Sequence, residues 1–529
     1  MATPQIIAAL IADANQRGNN GSTMSSPQDQ FSQPAVLPRT WYQWLLVFGP
    51  GAIIASLTIG TGELIFSTRG GALFGYRILF LFVAISILKW GLVVASSRHM
   101  VLTGAHPYER MAELPGPRGW LNIAMLLIVA GCMPIWVSFH SGVLGNLTSW
   151  VTDTSGQLGG AIDYLWGAAI LAAVLVLAAT GGYTILERVQ MFIVAALVLC
   201  AGVTLVLYNP DWIAMLRGAV IPQVLEYPAW LPDEYPEIAG NSVWVETTRY
   251  VGVIGGAGFD YMAYTSFLRE KSWGRSSMGV ATRDDLEKIA ADNTHVVRKW
   301  VAAPYIDSTI SFILVVAFSA VFVASGAMIL GPNHKIPTES SMLNLQAEFV
   351  TRIHSALLPI YVIGAFLTML GTLYGTLEIA CSIATEMALA INHKFAIKYE
   401  RQIRLVTIAW CASWAYIILA YMFAYQYTGG EGKPRILMAL LTPANLFTGV
   451  LSCAIFCGLV LWMDIKYLPK KLRMPLWLFG LNVVSGIIFL GLGIKGYYDN
   501  KNRLFAVASL IVLGIIGWII AARSNRRNK

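Results

Sequence analysis

Charge is what this 529-residue chain has least of: Asp, Glu, Lys and Arg make up 12% of it, against 56% apolar residues and a mean hydropathy of +0.60. A soluble domain carries about 25% charged residues, so roughly half the usual solvating charge is missing and a soluble fold is excluded. Ten-residue stretches of alternating apolar and polar positions are also absent, which excludes an outer-membrane barrel. Cysteine is rare. The six, at 132, 200, 381, 411, 453 and 457, all fall in apolar runs, so there is no disulfide framework and no CxxC zinc motif. Cys453 and Cys457 share a helix face as small packing residues. No phosphate loop, nucleophile elbow or His/Glu metal motif occurs, so no enzymatic reading and no bound cofactor is expected.

What the chain does have is apolar length. Twelve runs reach the roughly 20 residues that cross a hydrocarbon core: about 45–67, 78–97, 119–147, 160–180, 185–208, 250–268, 304–330, 353–391, 404–426, 436–463, 475–494 and 503–522. The expected class is an all-α polytopic membrane protein. Of 37 Lys and Arg, 25 fall in segments on the side of the N-terminus and 11 on the opposite side, with Lys89 inside the second run. By the positive-inside rule both termini are cytoplasmic, in a multi-pass protein of the plasma (inner) membrane. The net charge of +8 is thereby topological, and no nucleic-acid partner is implied. Residues 1–40 are rich in Asn, Gln, Ser and Pro and lack a basic start followed by an apolar core; they read as a disordered cytoplasmic tail. A membrane domain spans 41–524 and a basic tail 525–529. The outer loop 209–249 reads as a partly ordered cap, and the basic inner loop 269–303 contains a polar helical stretch, Asp284–Lys299.

Two of the runs, Val47–Arg69 and Tyr250–Arg269, are interrupted near their middles. The first interruption is Thr58-Ile59-Gly60-Thr61-Gly62-Glu63; the second is Gly255-Gly256-Ala257-Gly258-Phe259-Asp260-Tyr261. Each sets a carboxylate beside helix-weakening glycines at a depth where charge costs roughly 2.5–3.5 kcal/mol. Broken backbone is tolerated in a bilayer only where it lines a cavity or is buried in protein. Two such breaks, in matching places of two halves, point to a substrate site in a secondary transporter. The halves read as five-helix repeats, 45–208 and 250–463, followed by two extra helices in 475–522.

From Gly49-Pro50-Gly51 through Phe74-Gly75-Tyr76 the first span resembles, without gaps, the first helix of the Nramp (natural-resistance-associated macrophage protein) divalent-metal transporters. Leu102-Thr103-Gly104, Leu186-Glu187-Arg188 and Asp307-Ser308-Thr309-Ile310 are further similar pieces, in the family's order. The resemblance implies a LeuT-like fold of two inverted five-helix repeats plus two helices. It also implies proton-coupled movement of a divalent cation, bound between an Asp-Pro-Gly-Asn break in helix 1 and a Met-Pro-His break in helix 6. Here Gly60-Thr61-Gly62-Glu63 stands in the first place and Phe259-Asp260-Tyr261 in the second, so the scaffold matches while the ligands differ.

Losing the thioether while keeping two carboxylates leaves an oxygen-only set, suited to Mg²⁺, Ca²⁺ or Mn²⁺, with an Mn²⁺- or Mg²⁺-type ion the expected substrate. Glu63 and Asp260 are the expected metal ligands. Gly60, Thr61, Phe259, Tyr261 and Asn445 are expected to line the substrate site, and carbonyls near Thr58–Thr61 and Gly255–Gly258 to add oxygens. Asn445 has an alternative role as a cap at the start of span 10. His140 and Glu378 are candidate proton relays; hydrogen bonding within a helix and helix pairing are their alternatives. Glu386 reads as structural, near the inner surface, and Lys89 as a snorkelling or charge-neutralising residue. The expected partners are a divalent cation, protons and the lipid bilayer. A proton-coupled carrier of an amino acid or amine, with an aromatic pocket around Phe259, Tyr261 and Tyr264, is the alternative, and a non-transporting sensor a third.

Overall fold

The computed structural model describes residues 37–38, 40, 43–44, 47–180, 209–338, 341, 343–352, 354–429, 437–500 and 503–527, with single positions 188, 192 and 203. Most of the expected tail 1–40 and of the expected fifth span 185–208 lies outside the described residues, as do Leu186 and Glu187. Among the described residues every regular element is helical. Eight helical stretches among the described residues are long and apolar enough to cross a membrane, and Ile162–Ala178 is a shorter apolar one.

The first span comprises α1 (Pro50–Thr58), a wide π-helical stretch Ile59–Ser67, and α2 (Thr68–Phe74). The next helices are α3 (Leu79–Thr103), α4 (Trp120–Val151) and α5 (Ile162–Thr180). In the second half α6 (Val243–Val253) and α7 (Gly258–Lys271) form one interrupted span. A short surface helix, α8 (Arg283–Ala291), leads to α9 (Ala302–Ser325), α10 (Leu358–Ile391) and α11 (Glu400–Gly429). Span 10 is α12 (Leu437–Asn445) and α13 (Ser452–Tyr467), joined through another π-helical stretch, Leu446–Leu451; α14 (Leu476–Tyr498) and α15 (Arg503–Arg527) complete the bundle. The outer loop holds short helices at Trp212–Val220, Leu231–Glu234 and Pro236–Ala239.

Helix 6 is broken where the glycines predict. Gly255 and Gly256 adopt φ of 78° and 95°, a left-handed backbone that side-chain-bearing residues avoid. Helix 1 departs from expectation. It is not unwound at Gly60–Glu63 but continues, merely widened. The reason lies in Thr61, which stands where the resemblance has proline. With an N–H present and no ring to clash, the helix can keep hydrogen-bonding through the glycines.

Helix 1 is anchored at both ends. Pro50 opens it at a position that needs no N–H. The buried Asp307 of α9 then accepts hydrogen bonds from the backbone N–H of Gly49 (2.9 Å) and Gly51 (2.8 Å) and from the Tyr264 hydroxyl of α7 (2.8 Å). At the other end Arg69 donates to Glu246 of α6 at 2.5 Å and to the Pro337 carbonyl at 2.7 Å. Tyr250 (2.7 Å) and Arg249 (3.2 Å) complete the shell around Glu246. Arg69 and Glu246 are both buried, so removing one partner would strand a charge.

Candidate functional site

A cavity of about 60 Å³ lies at the break in helix 6, where α1, α4, α6–α7, α10 and the second π stretch converge. Its polar lining comes from Asp260, Thr58, His140, Thr372, Thr376 and Thr448. Asp260 is placed by the fold: its Oδ2 accepts from the Ala257 N–H at 2.7 Å, capping the start of α7, where the helix dipole favours a negative charge. Thr58 donates to Ile54 O (2.7 Å), Thr372 to Thr368 O (3.1 Å) and Thr376 to Thr372 O (2.8 Å), which leaves hydroxyl lone pairs free to accept or to coordinate. Thr376 Oγ1 is 3.3 Å from His140 Nδ1, and Trp136 Nε1 donates to Thr448 Oγ1 at 3.2 Å.

The oxygen-only set expected from the sequence is not what the cavity presents. Met133 and His140, both on α4, line it as well, so a thioether and an imidazole face the space that Asp260 faces. A sulfur-bearing residue is thus among the lining residues, contributed by α4 and not by the Phe259 position. Among the described residues no group of three or more His, Cys, Asp and Glu side chains gathers in a metal-holding cluster.

Glu63 does not line this cavity. It is fully buried on the other side of the break, where its Oε1 accepts from the Gly255 N–H at 3.3 Å and its Oε2 has no hydrogen-bond partner among the described residues. Between the two carboxylates stands Lys89 of α3, within Coulombic reach of both and with no exposed surface. Its ammonium does not snorkel to an interface. It donates to the carbonyls of Val251 (2.8 Å), Ile254 (2.8 Å) and Gly256 (2.5 Å), the groups freed by the break. The Tyr261 hydroxyl donates to Gly255 O at 2.6 Å and shares Gly256 O with Lys89 at 3.1 Å. Of the carbonyls expected to serve a substrate, those of Gly255 and Gly256 are therefore held by a lysine and a tyrosine of the protein itself.

The remaining expected residues are placed as follows. Gly60 is the point of closest approach between helix 1 and α10, since a Cβ there would fall on the Thr372 hydroxyl. The side chain of Thr61 lies outside the described residues. Phe259 is buried against Phe447 and Phe456 and is not in the cavity wall, nor is Tyr261. Asn445 is not a cap at the start of span 10: it closes α12, and its Nδ2 donates to Arg249 O at 3.0 Å. Glu378 takes the pairing alternative, gripped by Arg404 of α11 at 2.6 and 2.7 Å. Glu386 binds Arg269, which also reaches Glu109 at 3.2 Å. Sequence reading passed over Met133, Thr372 and Thr376. The signal for the threonines is present: Thr368, Thr372 and Thr376 recur every fourth residue, one polar stripe on an apolar span.

Broken helix 6, an internal cavity with one capping carboxylate and a bundle of apolar spans define a polytopic membrane-transport protein. Over residues 51–499 the chain matches the family model described as natural resistance-associated macrophage protein-like, and it belongs to that family, Nramp, whose members are transporters and not enzymes. It is 25% identical over 227 residues to the divalent metal cation transporter MntH of Chromohalobacter salexigens, a match that covers 40% of this chain and only 45% of that relative. The crystallised Eremococcus coleocola manganese transporter shares its fold with a TM-score of 0.65 at 16% identity, covering 95% of this chain and 100% of that one. The same transporter in complex with an aromatic bis-isothiourea compound gives 0.62 at 15% identity, over 96% and 100% of the two chains. At such identity the likeness is one of fold, and it bears out the all-α, LeuT-like architecture.

Proposed function

We propose that this chain is a proton-coupled secondary transporter of a divalent metal cation, bound in the cavity at the helix 6 break with Asp260 as its charged ligand. The observation that carries the reading is the position of Asp260. It is the single acidic side chain in the described cavity wall, ringed by hydroxyls, an imidazole and a thioether. Glu63 lies behind the break within Coulombic reach of Lys89, which leaves Asp260 as the acidic group facing the cavity. Carboxylate and hydroxyl oxygens suit Mg²⁺ and Mn²⁺ alike, and the His140 nitrogen and Met133 sulfur shift the preference toward Mn²⁺. His140 is the proton carrier of this reading. A proton on its ring and a cation beside Asp260 repel across one small space, and that repulsion couples the two.

A cavity of about 60 Å³ holds a few waters or one partly hydrated ion. Pockets for organic ligands run to roughly 300–1,000 Å³, so this conformation does not favour an amino acid or amine. The test is Mn²⁺ and Mg²⁺ uptake into liposomes holding the purified protein, with and without a pH gradient. Asp260→Asn is expected to abolish uptake, and Met133→Leu to lower the Mn²⁺ over Mg²⁺ preference. Wild-type uptake by Asp260→Asn would remove the reading.

A further inference from the structure

Two basic inner loops meet in the fold. Leu286 and Ile289 of α8 pack with Leu468 and Leu472 of the α13–α14 connection in a small apolar cluster of their own. Above it lies a groove of about 640 Å³, walled by Arg110, Arg283, Lys466, Lys470, Lys471 and Arg473. Glu287 is the one carboxylate among its lining residues. Arg110 is paired with Glu113 at 3.4 Å, whereas Arg283, Lys466, Lys470 and Lys471 have no carboxylate partner among the described residues. Arg473 spends its donors on the carbonyls of Leu468 (3.3 Å) and Ile465 (2.9 Å), holding the connection in shape. From behind, Arg98 of α3 fixes the same connection through Leu472 O at 2.5 Å and Arg473 O at 2.9 Å.

Apolar side chains are exposed at the groove and just past it in sequence: Ile465, one of its lining residues, is 51% exposed, and Leu476 and Trp477, at the start of α14, are 89% and 53% exposed. Lys466 lies 4.4 Å over the Trp462 ring and 5.0 Å over Tyr467, the aromatic arrangement of a headgroup-level belt. A topological charge bias alone needs no concavity. Here the cations converge on one, and its rim is apolar.

We propose that this groove binds the headgroup of an anionic phospholipid, the phosphodiester among Arg283, Lys466, Lys470 and Lys471 and the acyl chains along Ile465, Leu476 and Trp477. A soluble anion would have no use for that rim, which is why a membrane lipid is the occupant. Bound there, the lipid bridges α8, which lies between helices 6 and 7, to the connection that Arg98 ties to α3.

The test measures binding of phosphatidylglycerol and phosphatidylcholine to the full-length protein in neutral detergent by native mass spectrometry, with melting temperature as a second readout. Phosphatidylglycerol is expected to bind and to raise the melting temperature; phosphatidylcholine and inorganic phosphate are not. The exposed triple variant Arg283→Gln, Lys470→Gln, Lys471→Gln is expected to weaken phosphatidylglycerol binding on the order of 100-fold, at about a factor of five per cation removed, while melting like wild type without lipid. Equal binding by wild type and variant overturns the proposal. So does stabilisation by inorganic phosphate equal to that by phosphatidylglycerol, which would mark a plain anion site. If the triple variant melts low without lipid, the single variants Lys470→Gln and Lys471→Gln carry the same comparison. No readout involves metal uptake, so the result stands apart from that of the Asp260 test.

Discussion

Replacing Lys89 by Met keeps the length of the side chain and removes only its charge and donors. Three charge-assisted hydrogen bonds disappear, at 2.8, 2.8 and 2.5 Å. Bonds to charged groups contribute about 1.5–3 kcal/mol each, so the gross loss is on the order of 4–9 kcal/mol. Against it stands relief from burying an ammonium, which costs several kcal/mol. The net expectation is a destabilisation of about 2–5 kcal/mol, because the carbonyls of Val251 and Ile254 lose their lysine donor while buried and that of Gly256 keeps only the Tyr261 hydroxyl. Glu63 would also lose the nearby ammonium. Lys89→Met combined with Glu63→Gln should therefore be less damaged than the two single changes summed, by roughly 1–3 kcal/mol of coupling. Thermal unfolding of the four proteins in nanodiscs, alongside Mn²⁺ uptake, checks both statements. If Lys89→Met melts within about one degree of wild type, where several degrees are expected, and transports normally, the lysine is not what closes the break.

Gly60→Ala places a methyl on the Thr372 hydroxyl and should cost about 1–3 kcal/mol of stability, with partial rescue by Thr372→Ala; equal melting of Gly60→Ala and wild type would show that helix 1 and α10 do not meet there. Glu246→Ala strands the buried Arg69 and should cost about 3–5 kcal/mol, while Glu246→Gln with Arg69→Met should recover part of it, read from melting curves. Asp285, on the surface helix α8, is held below its usual range, chiefly by the Thr282 backbone N–H and hydroxyl and further by Arg275 and Lys288. A depressed pKa contributes stability above the unfolded value that is lost as pH falls through the folded one. Amide exchange in α8 should therefore quicken on acidification below the ordinary aspartate range, and Asp285→Asn should remove that acid step.

Legibility in the sequence differed between scaffold and site. Helix 6 announced its break because Gly255 and Gly256 are both needed for left-handed backbone. The pieces Gly49-Pro50-Gly51 and Asp307-Ser308 were visible separately, yet that one caps the other across 256 residues is knowledge only folding supplies. Helix 1 misled because glycine weakens a helix without forcing it open; proline does the forcing, and Thr61 is not proline. Phe259 and Tyr261 misled for a related reason: neighbours of Asp260 along the chain point to other sides of α7. Lys89 was the hardest to place. A lone lysine in an apolar run suggests an interface or a carboxylate, and its three acceptors are backbone groups that no side-chain pattern records. Met133 was hidden by the assumption that a lost sulfur must be replaced from the same helix.

The ties at the two ends of helix 1 have a consequence for how the protein can move. Asp307 holds one tip to α7 and α9, and Glu246 holds the other to α6, each by several short bonds. Undoing both together would set free a rod whose middle leans on Thr372 with no side chain for cushioning. Undoing them in turn keeps one pivot in place while the opposite tip swings. The pathway is thereby built to be unlatched on a single side at a time, like the doors of an airlock.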